Sequence, residues 1–118
     1  MWIFSREAFL SVVAHNTKPN ILVVRSRFEG HIEKVFPKAS VEEDEKRDYR
    51  FRAELPIKEV AKAISRTVSE IDYPNFKDSL SDEKYLDCCL DVYSVVLKHS
   101  GNWDFSQFKY LMEELDEA

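Results

Sequence analysis

The chain has 118 residues and a formal net charge of −5, with 44% hydrophobic, 13% aromatic and 33% charged residues. That length suits one domain with a real core, and the apolar and aromatic content excludes a disordered tail. The negative balance disfavours nonspecific binding to nucleic acid or acidic membranes and leaves room for a local basic patch.

No apolar run reaches the length of a membrane span, and the longest, "AFLSVVA", is strand-like. The opening "MWIFSREAFLS" lacks the basic start, long apolar stretch and small-residue exit of a secretory signal, so the expected location is cytoplasmic.

"WIFS" extends the first strand or forms a short one of its own. "AFLSVVAH" alternates weakly, "ILVVRSR" is β-branched, and "NTKPN" between them reads as a hairpin loop. "FEGHIEKVF" then sets Phe28, Ile32, Val35 and Phe36 on one helical face; Gly30 keeps this helix short and Pro37 stops it.

A second hairpin follows in "ASVEEDEKRDYRFRAEL". Tyr49, Phe51, Ala53 and Leu55 alternate with Arg50, Arg52 and Glu54, the period of a half-buried strand. Its acidic partner around residues 41–45 makes an edge, where charge discourages pairing with other chains. Pro56 suits a first helical turn, and Ile57, Val60, Ala61, Ile64, Val68 and Ile71 form an amphipathic stripe.

"IDYPNFKD" separates this helix from a long one. The latter is marked by Tyr85 or Leu86, Cys89, Val92 or Tyr93, and Val96 or Leu97, and ends near Gly101. A last short helix starts at Asp104, with Gln107 completing a capping box, Trp103 stapling onto Phe108, and Phe108, Leu111, Met112 and Leu115 facing inward. The expected fold is α+β: a four-stranded antiparallel sheet in ββαββα order (permuted ferredoxin-like) with two additional C-terminal helices. It divides into a sandwich over 1–78 and a helical extension over 79–118, within a single domain.

The segments "MWIF", "SVV", "DYRFRA", "IDYPNFKD" and "YLDCCLDVYSVV" occur in that order. Together they resemble a family of short uncharacterised bacterial proteins that begin Met-Trp-x-Phe and carry Ile-Asp-Tyr-x-Asn-Phe-Lys. The resemblance runs to about residue 97, departs at Tyr93, where the family has Trp, and stops before the acidic end. It implies one bacterial-type cytosolic domain and brings no activity with it.

There is no phosphate-cradling Gly-rich loop, Cys-x-x-Cys or His-Glu-x-x-His, and no nucleophile is paired with a base, so no catalytic set, metal or cofactor is expected. His15, His31 and His99 read as isolated surface or capping residues. Cys88 and Cys89, adjacent on a helix, diverge too far for a disulfide; they read as reduced structural thiols, at least one of them buried.

The most suggestive pattern is arginine on strands. If Leu22 and Val24 face the helices, Arg25 and Arg27 face away, as do Arg50 and Arg52, with Phe9 and Ser11 alongside. Guanidiniums beside an aromatic can bind phosphate or stack a base. Against this stands internal pairing: Glu43 opposite Arg50, and the others with Glu54 or with Glu113, Glu114, Asp116 and Glu117. In "IDYPNFKD", Asp72 as an acceptor, Asn75 as an orienting amide and Lys77 as an anion contact would make a site. The mechanical reading is a joint in which Tyr73 and Phe76 are buried and Asp72 bonds turn amides.

The leading functional expectation is a non-enzymatic binding or regulatory module acting through a protein partner. One form of it is a small acidic inhibitor of a nucleic-acid-handling complex, phage or anti-CRISPR in type, with "VEEDE" imitating phosphates. The alternative is a binder of, or enzyme acting on, a phosphate-bearing ligand or nucleic acid through the arginine face. The candidate ligand-binding residues are Arg25, Arg27, Arg50, Arg52, Asn75 and Lys77.

Overall fold

A computed structural model describes residues 1–101 and Glu113. The chain forms two compact units, Met1–Asp72 and a second beginning at Tyr73. The first runs β1 (Trp2–Phe4), β2 (Phe9–Ala14), β3 (Ile21–Ser26), α1 (His31–Val35), β4 (Glu42–Glu43), β5 (Phe51–Pro56) and α2 (Ile57–Ser69).

The sheet is α+β in context and antiparallel throughout, with five strands in the order β1-β2-β3-β5-β4. The fifth strand corrects the expected four. Residues 2–4 do not extend β2; they pair beside it, Trp2 opposite Ser11 and Ile3 opposite Leu10. Two things hold so short a strand in place. Ile3 packs against the core, and the Met1 ammonium donates to the Val12 carbonyl at 2.8 Å.

Period-two alternation delivers one apolar sheet face. Leu10 and Val12 of β2, Val24 of β3, and Phe51, Ala53 and Leu55 of β5 are buried against Ile32 and Val35 of α1 and Val60 and Ala63 of α2. Val24, Ile32 and Val60 are almost fully enclosed, each contributing about 1.5–3 kcal/mol by removal from water. Gly30 precedes α1 at φ 84°, a left-handed conformation open to glycine at little cost, and α1 is correspondingly short.

Three expectations need correction. Tyr49 does not join the core side of β5, because regular pairing starts only at Phe51. The buried side of α2 is Val60 and Ala63, flanked by half-buried Ile64 and Thr67, whereas Ala61 is exposed. Ile57, Val68 and Ile71 are exposed too. The helix follows β5 without a loop and its first amide, Ile57 N–H, donates to the Asn20 carbonyl at 3.0 Å, which sets its rotation. His31 is not a surface residue: it is buried, its Nδ1 accepts from the Phe9 amide at 3.0 Å, and its ring stacks on Phe28.

The second unit carries a short 3₁₀ turn (Lys77–Ser79) and α3 (Glu83–His99). Asp82 caps α3 by accepting from the Tyr85 amide at 3.0 Å. Tyr85 and Leu80 are buried, while Tyr93, Val95 and Val96 are exposed. Cys88 and Cys89 are free thiols, and both are half-buried, so the expectation that one is buried is corrected. The expected last helix from Asp104 lies outside the described residues. Among the described residues, no helix is long and apolar enough to cross a membrane.

Candidate functional site

The face of the sheet turned away from α1 and α2 follows from the same alternation. One cross-strand row reads Trp2, Ser11, Arg25, Arg52 and Glu42, each opposite the next in register. Arg25 lies between Val24 and Ser26, both fully buried, and so turns outward. Its Nη2 donates to Ser11 Oγ at 2.7 Å, and its guanidinium carbon sits 4.4 Å from the centre of the Tyr49 ring. The Ser11–Arg25 bond therefore ties β2 to β3 through side chains as well as through the backbone ladder.

Arg25 and Arg52 are the unusual pair. Like charges directly opposite one another in a sheet repel, and among the described residues neither has an ion-pair partner. The Nε–H of each is buried without an acceptor. An orphaned buried donor costs about 1–3 kcal/mol, so two of them side by side are a considerable concentration of unmet hydrogen-bonding capacity. Burial is the main cause that lowers the Arg52 pKa, with the Arg47 and Arg25 charges adding to it. The guanidinium stays charged at any ordinary pH. A concavity of roughly 640 Å³ opens beside the pair, with Val23, Glu42, Arg47 and Glu54 among its walls.

The other two arginines leave the row. Arg27, beyond the end of β3 and exposed, donates to the Asp48 carbonyl. Arg50, just before β5, turns to the β4 edge. Its Nε donates to Glu43 Oε1 at 2.9 Å and its Nη2 to Glu45 at 3.0 Å, over the Phe51 ring. Glu43 first, and the charges of Glu45 and Glu29 after it, raise the Arg50 pKa. The expected Glu43–Arg50 ion pair forms, although Glu43 stands opposite Phe51 and reaches its neighbour. Four arginines on one face become two, because Arg27 lies beyond the end of β3 and Arg50 precedes β5, so neither keeps its strand's phase.

Glu54, the expected partner for a further arginine, is held elsewhere. Lys18 Nζ donates to its Oε2 at 3.0 Å and His15 Nε2 contacts its Oε1 at 2.6 Å. His15 Nδ1 accepts from the Thr17 and Lys18 amides, which fixes the ring's proton on Nε2, the nitrogen facing Glu54. Glu114, Asp116 and Glu117, proposed as partners for the arginines, lie outside the described residues.

On the neighbouring strands β1 and β2 of the same face runs an aromatic strip. Phe4 and Phe9 are stacked with centroids 4.3 Å apart, and Trp2 meets Phe9 edge-on at 6.0 Å. Trp2 is 68% exposed, a large apolar ring presented to solvent in the same cross-strand row as the two guanidiniums. Phe9 and Ser11 were placed on this face by their parity. Trp2 and Phe4 carry the same signal in "MWIF", which is visible only once residues 2–4 are counted as a strand.

Asn75 and Lys77 belong to the second unit. Asn75 Oδ1 accepts from the Lys77 amide at 3.0 Å and the Asp78 amide at 3.4 Å, the geometry of a side chain closing a turn. Lys77 Nζ lies 3.7 Å from Asp78, and its side chain is only 12% exposed. Tyr73 and Phe76 are half-buried with ring centres 6.3 Å apart. Asp72 does not bond the turn amides as expected, since Asn75 already does; it pairs with Arg6 at 2.8 Å. The expected burial of Tyr73 and Phe76 is corrected to half-burial.

No three His, Cys, Asp or Glu side chains converge on a point that could hold a metal among the described residues. No protein-family model matches the chain, and no curated protein or solved structure matches it either.

Proposed function

We propose that the chain is a non-enzymatic, cytoplasmic binding module whose open sheet face takes a phosphate-bearing ligand at Arg25 and Arg52. The single observation behind this reading is the paired guanidiniums, two positive charges opposite each other with buried Nε–H donors that lack acceptors. An anion bridging the outer nitrogens of the two guanidiniums would relieve their repulsion through charge-assisted bonds, which are stronger than neutral ones. We read the order β2-β3-β5-β4 as a permuted ferredoxin-like arrangement with β1 added at its edge. That arrangement leaves one sheet face of the first unit free of its own two helices.

The acidic-inhibitor reading has less support. A carboxylate run that imitates phosphates must present unpaired charges, yet Glu43 and Glu45 are bound to Arg50, and Asp44 pairs with Arg47 at 3.3 Å. Calorimetric titration with inorganic pyrophosphate at low and moderate salt tests the anion site. Binding that weakens with salt, vanishes in Arg52→Ala and survives in Arg50→Ala is the expected result. Absence of binding at low salt, or equal loss in both variants, defeats it.

A further inference from the structure

The aromatic strip beside the anion site says what kind of phosphate-bearing ligand fits. We propose that the open face binds single-stranded nucleic acid, with a base stacked on Trp2 and a neighbouring backbone phosphate held by Arg25 and Arg52. This rests on the anion-binding reading and adds the chemical class to it.

Three features converge. First, Trp2 is 68% exposed, and among the described residues its ring is braced by the edge-on contact with Phe9 at 6.0 Å. Phe9 in turn is stacked on Phe4, so the indole stands on a rigid support. A free aromatic face of this kind is a platform for a base, and the interaction tolerates sequence because every base has a π-face. Second, Trp2 lies in the same cross-strand row as the arginines, two strands from Arg25 and three from Arg52. At about 4.8 Å per strand spacing this is about 10–15 Å, a span that a stretch of sugar-phosphate backbone crosses. Third, Ser11 lies between them, 1% exposed and bonded to Arg25, so that the ground between platform and guanidiniums is closed and firm.

The charge balance shapes the expectation. A net charge of −5 gives no long-range attraction for a polyanion, and Glu42 ends the row. A duplex, rigid and densely charged, gains little from two arginines and cannot offer an unstacked base. A flexible single strand can place one or two phosphates on the pair, and it keeps its other charges away from the acidic edge. Salt dependence should therefore be shallow. For two phosphates neutralised, the slope of log K against log salt is about −1.4, far below that of a protein with a continuous basic groove.

The experiment is fluorescence anisotropy of a labelled short oligothymidylate and of its oligouridylate counterpart, with a duplex as comparison, against the full chain and three variants. Both single strands should bind better than the duplex, with the shallow salt slope. Trp2→Ala should weaken binding by about 5- to 150-fold, the range of lost base stacking, and Trp2→Phe should restore most of it. Arg52→Ala should weaken binding and flatten the salt slope. Because Trp2 is exposed, its replacement does not threaten the fold. If pyrophosphate binds and neither oligonucleotide does, the nucleic-acid assignment is overturned while the anion site stands. Oligonucleotide binding that is indifferent to Trp2→Ala also overturns the stacking assignment. If nothing binds, both readings fall together.

Discussion

Arg25 and Arg52 stand directly opposite each other at the centre of the sheet, and no carboxylate among the described residues pairs with either. Arg25 is partly compensated, by Ser11 Oγ and by the face of Tyr49. A guanidinium over an aromatic ring gains about 0.5–1 kcal/mol at an exposed site. Among the described residues Arg52 has neither kind of support. The fold tolerates a repulsive, under-bonded pair in a position where two apolar side chains would satisfy the sheet at lower cost, and a break of a local rule of that kind marks a candidate site.

It follows that Arg52→Leu should be neutral or slightly stabilising, within about 0.5 kcal/mol of the natural chain or above it. Removing Arg52 deletes one orphaned Nε–H and the repulsion of Arg25 together. Urea unfolding midpoints provide the measurement. A loss of more than about 2 kcal/mol would mean that Arg52 is a structural residue with a favourable internal environment, against the reading given above.

The acid response of the first unit should run through Glu54. Its pKa is lowered, first by the hydrogen bond from Lys18 and then by that from His15. A carboxyl whose folded pKa lies below its unfolded value adds stability that is present above the unfolded value. That contribution is lost as pH falls through the folded one. Glu54→Gln should therefore be less stable than the natural chain at neutral pH and should converge with it as the pH falls below the carboxylate range. Denaturant midpoints for both proteins over that range decide the matter; a gap that persists in acid would show that Glu54 acts by something other than its charge.

Much of the first unit was legible in the sequence because period-two alternation is a strong signal when one face is apolar. Val24, Ala53 and Leu55 on one side, and Arg25 and Arg52 on the other, follow from it directly. The signal fails where the strand stops. Tyr49 and Arg50 carry the right letters for the alternation but precede the ladder, and a residue outside the ladder has no pleat to fix its side. Arg50 follows its carboxylate partners, and Tyr49 ends beneath Arg25. Trp2 was missed for the opposite reason: three residues are too few to show a period. Their place in the sheet depends on the ladder they form with β2 and on Ile3 finding the core, both of which are tertiary facts.

Asn75→Ala should lower stability by about 1 kcal/mol, because it leaves the Lys77 and Asp78 amides without the side-chain acceptor that closes their turn. Asn75→Asp keeps an acceptor in the same place and should retain most of that stability. Thermal or urea unfolding of the two variants separates a turn-closing role from a ligand contact. Equal losses in both would show that the amide nitrogen matters, and the segment would then need a role beyond that of a joint.

The two thiols should be slow nucleophiles with different dependences on a neighbour. Burial raises the Cys88 pKa, with Asp91 adding to it; burial likewise raises that of Cys89, where a hydrogen bond from Tyr85 acts in the opposite direction. The Tyr85 hydroxyl is itself pushed far up by burial, so it remains a donor across the working range. Since the thiolate is the reactive form, labelling of the folded protein should be slow at neutral pH and accelerate only above the pH at which the unfolded chain reacts. The same shift means that this part of the folded state's stability holds below the unfolded thiol pKa and declines as pH rises beyond it. Tyr85→Phe removes the contact that, among the described residues, favours a thiolate at Cys89, so it should slow labelling of Cys89 while leaving Cys88 unchanged. Mass spectrometry of the labelled peptide after timed exposure, with Cys88→Ser and Cys89→Ser resolving the two positions, gives each rate. Rapid labelling of both at neutral pH would show that α3 leaves its cysteines open to solvent, and an unchanged Cys89 rate in Tyr85→Phe would show that the hydroxyl does not reach the sulfur.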